Sequence, residues 1–581
     1  MKRLTRREFL RVSALSAGAV VVSTGLAGCL SSGGSSSDSG DDGGDSNGSA
    51  AFQHGVASGD PLQDRVLLWT RVTPLETDGA VSVGWEVATD ASFANLVHSG
   101  STETNAGRDY TVKVDVLSLS PGETYYYRFK SQGSTSLIGQ TRTLPEGSVS
   151  QVTLAVMSCA NYPAGYFNVY DAVAQESDLD AVVHLGDYLY EYANGQYGTD
   201  EVRQIPDAND TELLALEDYR SRYALYRTDS NLQVLHAQVP FIAVWDDHEV
   251  ANDAWESGAQ NHQGSEGDYS ERKLAALQAY FEWMPVRPAS EDDEETIYRS
   301  FAFGDLVSLY MLDTRLIARD EQLDYDDYMS GDIIDREAVN TARRNTNREM
   351  LGAEQLAWLS NQVQTSTATW QVLGQQVLMG RMLFPEEVIV SYQNGDSAAV
   401  ISQLTELLVL KEIENSGGSL TTDQQARLDN TLPYNLDAWD GYVWERDEIF
   451  QLMADNGKNL VVLAGDTHNA WANNLTLDDP DGDVVGVEFA TASVSSPGLE
   501  YYLGLSASEA ATAAQGLETL IDGLEYANVS QRGYLRVTFT ATEARADWRF
   551  VSTATDTSYS LDSDSAYARR TVAGAPGLTS V

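Results

Sequence analysis

A chain of 581 residues with 86 acidic and 37 basic side chains has a formal net charge of −49, which excludes a surface built to recruit nucleic acid or anionic membranes. Its hydrophobic content of 42% is ordinary, so the acidity is not that of a disordered polymer, and the length allows two or more cored domains. Lysine is scarce, six against thirty-one arginines; so acidic a folded surface suits concentrated salt, where screening relieves self-repulsion, and predicts a halophilic source.

The chain opens on a targeting segment. TRREFLR at 5–11 carries Arg6 and Arg7 as a twin-arginine (Tat) signal, an address read by a translocase. A weakly apolar stretch at 12–27 is too short and too rich in Gly and Ser to span a membrane. LAGC at 26–29 resembles a lipobox, with Cys29 as the lipidated residue. Residues 1–28 are therefore expected to be removed, leaving a net charge of −53. Residues 29–50 form a Ser/Gly/Asp-rich tether. The expected destination is the cell surface, lipid-anchored through Cys29 or released. The Tat translocase is the expected partner in export.

From 51 to 147 the pattern is turn-rich and alternating. VLLWT at 66–70, VSVGW at 81–85, YTVKV at 110–114 and YYYRF at 125–129 read as strands, with a turn at Pro121-Gly122. So many short strands predict an all-β sandwich of immunoglobulin or fibronectin III type. From 148 to 555 strands alternate with helices, an α/β pattern. Helices are predicted at 211–231 and 270–283, the second placing Leu274, Leu277, Tyr280 and Phe281 on one face. Strands follow at 307–312 and 369–373, and a closing strand pair at 533–551. Residues 318–350 and 391–435 read as polar surface insertions, the latter with helical potential at 398–412, and 556–581 as a tail.

Chemistry gathers where apolar runs end. SCAN at 158–161, GDYLYEY at 186–192, WDDHE at 245–249 and GDTHN at 465–469 each follow a β-prone run. In open α/β sheets the carboxyl ends of strands are where ligands bind. Carboxylate, phenolate, imidazole and thiolate in one crevice would make a metal site. Hydrolysis of a phosphate ester needs phosphoryl charge neutralised and a nucleophile generated at neutral pH, and a metal pair can supply both. Asp187, after a glycine turn, has the position of a bridging carboxylate, and Tyr190 that of a phenolate ligand. Asp247, with Asp246 beside it, offers oxygen to a second metal. Asp466 and His468 can address two metals from one turn, and His248 can bond the phosphate or protonate the leaving alkoxide. Cys159 is the single thiol left if Cys29 is lipidated; ligation would protect it in an oxidising compartment.

Other residues have plainer readings. His184 lies inside its strand as a core histidine, and His54 faces a domain junction. Asp313 makes an ion pair or caps a turn. Tyr188 and Tyr192 are packing residues, and the acidic run at 291–295 is a solvated face rather than a calcium site, since no EF-hand pattern is present.

Calcineurin-like metallophosphoesterases carry GD, GNH-D/E and GHxH in this order, and purple acid phosphatases add a tyrosine three residues after the GD aspartate. The chain shows GDYLY, DDHE and GDTH instead, with Asp247 and Asp466 in place of Asn and His. These departures, with FQHGVASGDPLQDRVLLWTRVTP, SCANYPAGYFNVY, WDDHEVAND, MLDTR and VVLAGDTHNAW, resemble the PhoD-type alkaline phosphatase/phosphodiesterase family along most of the length. The resemblance implies a small β domain followed by a four-layer α/β/β/α metallophosphoesterase domain. It implies one ferric ion held by Cys159, Asp187, Tyr190 and His468, and one or two calcium ions held by Asp187, Asp247 and Asp466, with Asp246 adjoining. His248 would contact the phosphate. Asn161, Arg315 and Gln375 or Gln376 are expected neighbours of the site. The implied enzyme is an exported, metal-dependent phosphoric ester hydrolase of alkaline phosphatase type, a monomer acting on small or polymeric phosphate mono- or diesters. The alternatives are a phospholipase D-like or polymer-directed phosphodiesterase, or a non-catalytic surface metal-binding module.

Overall fold

A computed structural model describes residues 52–74, 79–198, 202–290, 293–331, 333–477, 482–562 and 567–581. Arg6, Arg7, Cys29 and the tether lie outside the described residues. Among the described residues no helix is long and apolar enough to cross a membrane.

Two large mixed sheets dominate the architecture, one of eleven strands and one of seven. In the first, Gln151–Met157, Ala181–His184 and Phe241–Ala243 run parallel side by side. The latter two are buried at every position and Gln151–Met157 at all but its first, as near-continuous apolar runs in a covered parallel sheet require. Arg532–Thr540 pairs antiparallel with Gln151–Met157, and Glu543–Val551 pairs with it in turn. In the second sheet Val307–Met311, Trp370–Gly374, Asn459–Ala464 and Val484–Ala490 run parallel.

Period-two alternation decides what each face of the second sheet buries. Leu309, Val372, Val461 and Leu463 share one core with the first sheet. Tyr310, Leu373, Leu460 and Val462 belong to another, with Leu359 and Val363 of helix Gly352–Thr365 and Ile449, Phe450 and Met453 of helix Val443–Asp455. The two sheets also meet through an isolated bridge between Ser158 and Ser493.

The N-terminal strands divide between two sheets. Val81–Ala88, Leu96–Thr104, Thr124–Ser131, Ser134–Thr135 and Gly139–Arg142 form a separate five-stranded sheet. Val56–Gly59, Arg65–Arg71 and Thr111–Leu117 extend the eleven-stranded sheet. The groups enclose a common core of Val66, Leu68, Val83, Val87, Tyr127 and Phe129. The extension hangs on one register pair, Gly59 with Phe241. A Cβ at Gly59 would lie 2.1 Å from the Pro285 carbonyl oxygen. Beyond it the buried Asp60 carboxylate accepts from Arg299 Nε and Nη2 at 2.9 and 2.7 Å and from the Arg287 backbone at 2.7 Å.

Several expectations change. The helix predicted at 211–231 is two helices, Leu216–Tyr226 and Ser230–Gln238. Asp229 breaks it, because its carboxylate caps the amides of Asn231 and Leu232. Tyr269–Trp283 is helical and buries Leu277, Tyr280 and Phe281, but Leu274 faces solvent. The segment 318–350 is not wholly superficial: Arg319, Tyr325 and Met350 are buried. Residues 397–415 and 422–429 are helical. The tail is structured where it is described, since Ala568–Val572 and Ala575–Ser580 complete one side of the large sheet.

Candidate metal centre

All four clusters converge at the carboxyl ends of strands from both sheets. Cys159, Asp187, Asp466 and His468 adopt left-handed backbone conformations, with φ of 62°, 53°, 61° and 62°. Such conformations in non-glycine residues mark sites where surrounding structure enforces them. Gly186, at φ 101°, lets the chain turn against its neighbour: a Cβ there would lie 2.4 Å from the Asp246 backbone nitrogen.

Three interlocking ligand groups result: Cys159, Asp187 and His468; Asp187, Asp247 and His248; Asp246, Asp247 and Asp466. Within each, one donor atom per residue lies within 4.8 Å of the others. Asp187 belongs to two groups, as a bridging carboxylate must. The Tyr190 hydroxyl donates to Asp187 Oδ2 at 2.9 Å, lies 3.1 Å from His468 Nε2 and accepts from Ser496 Oγ at 2.7 Å. His468 Nδ1 donates to the Pro497 carbonyl at 2.7 Å, which leaves Nε2 free to ligate.

The donor set fits cations. Asp187 Oδ1 and Asp246 Oδ2 are buried with no hydrogen-bond partner, a costly arrangement for carboxylates unless a cation faces them. Sulfur, phenol and imidazole on one side suit iron, and the all-carboxylate group on the other suits calcium. Burial, reinforced by Asp187, pushes the Cys159 thiol and the Tyr190 phenol up from their ordinary values. Burial pushes Asp187 and Asp246 up as well, partly offset by His248 and Arg315 respectively. A bound cation would reverse all four directions.

Two glutamates that the sequence reading passed over organise the site. Glu249, buried, accepts from the backbone amides of Asp187, Tyr188 and Asp246 at 2.9, 2.6 and 2.6 Å, and so pins two ligand loops together; burial raises its carboxyl to about 7. Glu191, fully buried, lies 2.7 Å from His248 Nδ1 and accepts from Asn252 N and Asn261 Nδ2. Burial works against a charged His248, but Asp187, Glu191 and Asp247 outweigh it and hold the imidazole well above its usual range. Both glutamates stand inside the GDYLYEY and WDDHE clusters. An acid within a motif that follows a buried strand was the available signal.

Arg315 is the central cation. Fully buried, it reaches Asp246 through Nε at 2.5 Å, Asp437 through Nη1 at 2.8 Å and Asp466 through Nη2 at 2.9 Å. Arg319 also binds Asp437, at 2.5 Å. Asn161 lies buried two residues beyond Cys159, its Nδ2 without a partner. Gln375 does not turn to the cluster: its amide bonds Val377 and the Trp439 indole. Gln376 likewise spans Thr314, Trp245 and Leu312. Asp313 caps the turn at Arg315 and Leu316. His184 bonds the Tyr170 phenol in the core, and Tyr188 bonds His236. Tyr192, read as packing alone, stands 5.5 Å from the His248 ring.

Strand-end ligand groups between two sheets, in this motif order, define a phosphatase scaffold, and the chain belongs to the PhoD-like phosphatase family. The family model matches residues 154–548, and that of the PhoD-like phosphatase N-terminal domain matches residues 36–145. The chain is 35% identical over 518 residues to alkaline phosphatase D of Bacillus subtilis (strain 168), covering 87% of this chain and 78% of that one. A solved structure described as the structure of PhoD superposes with a TM-score of 0.74 at 32% identity, covering 92% of both chains.

Proposed function

We propose that the protein is an exported, iron- and calcium-dependent phosphoesterase of the alkaline phosphatase D kind, releasing phosphate from organic mono- or diesters outside the cell. Its scaffold would be an immunoglobulin- or fibronectin III-like sandwich at 51–147 and a four-layer α/β/β/α domain at 148–555. The observation that carries this reading is the chain of three ligand groups sharing Asp187 and Asp247, with unpartnered buried oxygens on Asp187 and Asp246. Cys159, Asp187, Tyr190 and His468 would hold ferric iron; Asp187, Asp247 and Asp466, with Asp246, would hold calcium. Bound there, the metals would neutralise phosphoryl charge and lower the pKa of a water.

The chain's own residues supply orientation and a proton. With Nδ1 engaged by Glu191, His248 presents Nε2 to the substrate, where it hydrogen-bonds a phosphoryl oxygen or passes its proton to the leaving alkoxide. Arg315, fixed by Asp246, Asp437 and Asp466, keeps those carboxylates oriented at one wall.

Colour provides the test. Tyrosinate–iron ligation gives a visible charge-transfer band, which Tyr190→Phe should abolish. Calcium chelation should stop hydrolysis of aryl phosphates in high salt while leaving the band in place. An active protein that is colourless and free of iron would refute the assignment.

A further inference from the structure

His248, the group proposed above to pass a proton to the leaving alkoxide, is surrounded by tyrosine. Three rings surround its imidazole, at centroid distances of 4.2 Å for Tyr190, 5.5 Å for Tyr192 and 6.0 Å for Tyr197, the last within 21° of coplanar. Tyr190 is buried, whereas Tyr192 and Tyr197 keep part of their surface in solvent. These two lie 5.2 Å apart. Tyr502, on the short helix Leu499–Tyr502 remote in sequence, places its hydroxyl 2.9 Å from that of Tyr197. The wall is thus braced from two segments. Solvent reaches the metal cluster at Asp466 and Thr467, both partly exposed while most of the ligands are buried.

An alkoxide that takes its proton from His248 Nε2 carries the rest of its leaving group past that ring. On the inner side Glu191 and Tyr190 are buried; toward solvent stand Tyr192 and Tyr197. Among the described residues no arginine or lysine stacks on either ring. The surface turned toward solvent is therefore aromatic, with Tyr197 itself stacked on Tyr190 at 5.4 Å. We infer that Tyr192 and Tyr197, braced by Tyr502, form a leaving-group wall that selects phosphate esters bearing a planar ring, aryl or nucleoside, over polyol and sugar esters. The inference rests on the phosphoesterase reading above. Offset stacking adds to the gain from apolar burial alone, and a wall already ordered by the phenol pair loses little entropy on binding.

The test compares kcat/KM for 2-phenylethyl phosphate and 2-cyclohexylethyl phosphate, whose alcohols are similar in size and acidity. The phenyl ester should be preferred by roughly fivefold to tenfold. Tyr192→Leu and Tyr197→Leu should each bring the ratio toward one. Tyr502→Phe, which keeps the ring but breaks the phenol pair, should lower the ratio through a higher KM for the phenyl ester. Equal hydrolysis of both esters by the unmodified enzyme overturns the wall and leaves the phosphoesterase standing, as does a ratio that survives all three substitutions. No hydrolysis of either ester by metal-replete protein in high salt overturns both.

Discussion

Glu249 and Glu191 are both buried next to the candidate metal-ligand loops, yet they differ in what they hold. Glu249 accepts only from backbone amides, so it fixes the loops that present Asp187 and Asp246. Glu191 faces the His248 imidazole, the group proposed to touch substrate. Glu191→Gln leaves that ring without its charged partner and should reduce kcat/KM for an aryl phosphate by about 10- to 100-fold, with the charge-transfer band of the proposed Tyr190–iron ligation unchanged. Gly186 governs the same loop sterically. Ala at that position meets both a positive φ and the Asp246 backbone, and should destabilise the fold by about 3 kcal/mol, seen as a lower denaturant midpoint. The metal-ligand candidates could be read from motif order because each ends an apolar strand. Glu191 and Glu249 could not be assigned, because which acid faces an imidazole and which faces amides depends on how separate loops fold against one another.

Elements were legible where periodicity was strong and local. The strands at 66–70, 307–312 and 533–551 stand where alternation or apolar runs place them. The break at Asp229 was written in its Asp-Ser pair, an N-cap signal inside a helical pattern. The strands at 568–580 carry no apolar alternation, because they border the sheet with much of their surface in solvent. The sequence places His54 at a domain junction, but the partners of Asp60 there, Arg287 and Arg299, come from distant segments and were out of reach. Asp60→Ala would strand Arg299 beside the Gly59–Phe241 pair and should cost about 3 kcal/mol of unfolding free energy. His54 is held down to about 3, first by burial and then by Arg71 and Arg227. Because this folded value lies below the unfolded one of 6.5, its contribution is whole above pH 6.5 and is lost as pH falls toward 3, at about 1.4 kcal/mol per pH unit. His54→Gln should therefore gain about 3 kcal/mol relative to the unmodified protein between pH 7 and pH 4.5, measured as the change in their stability difference. A difference that stays constant with pH would remove His54 from the acid response.

At the scale of the molecule the charge dominates. With −49 spread over one chain, adding salt should raise the unfolding temperature steeply at first and then level off as the Debye length falls below the spacing of surface carboxylates. Buried pairs such as Arg315 with Asp246 are screened far less, so Arg315→Met should lower the unfolding temperature by a similar amount in low and high salt; thermal unfolding across a salt series checks both statements.

The strand at the middle of the large sheet has a consequence for synthesis. Gln151–Met157 receives its antiparallel neighbour only from Arg532–Thr540. While the ribosome makes the intervening chain, one edge of that strand stays open, a template for wrong pairing. Contacts so distant in sequence also close slowly. The eleven-stranded sheet cannot be completed until nearly the whole chain has emerged, so a prematurely terminated product would carry the Cys159 and Asp187 loops on an unfinished sheet.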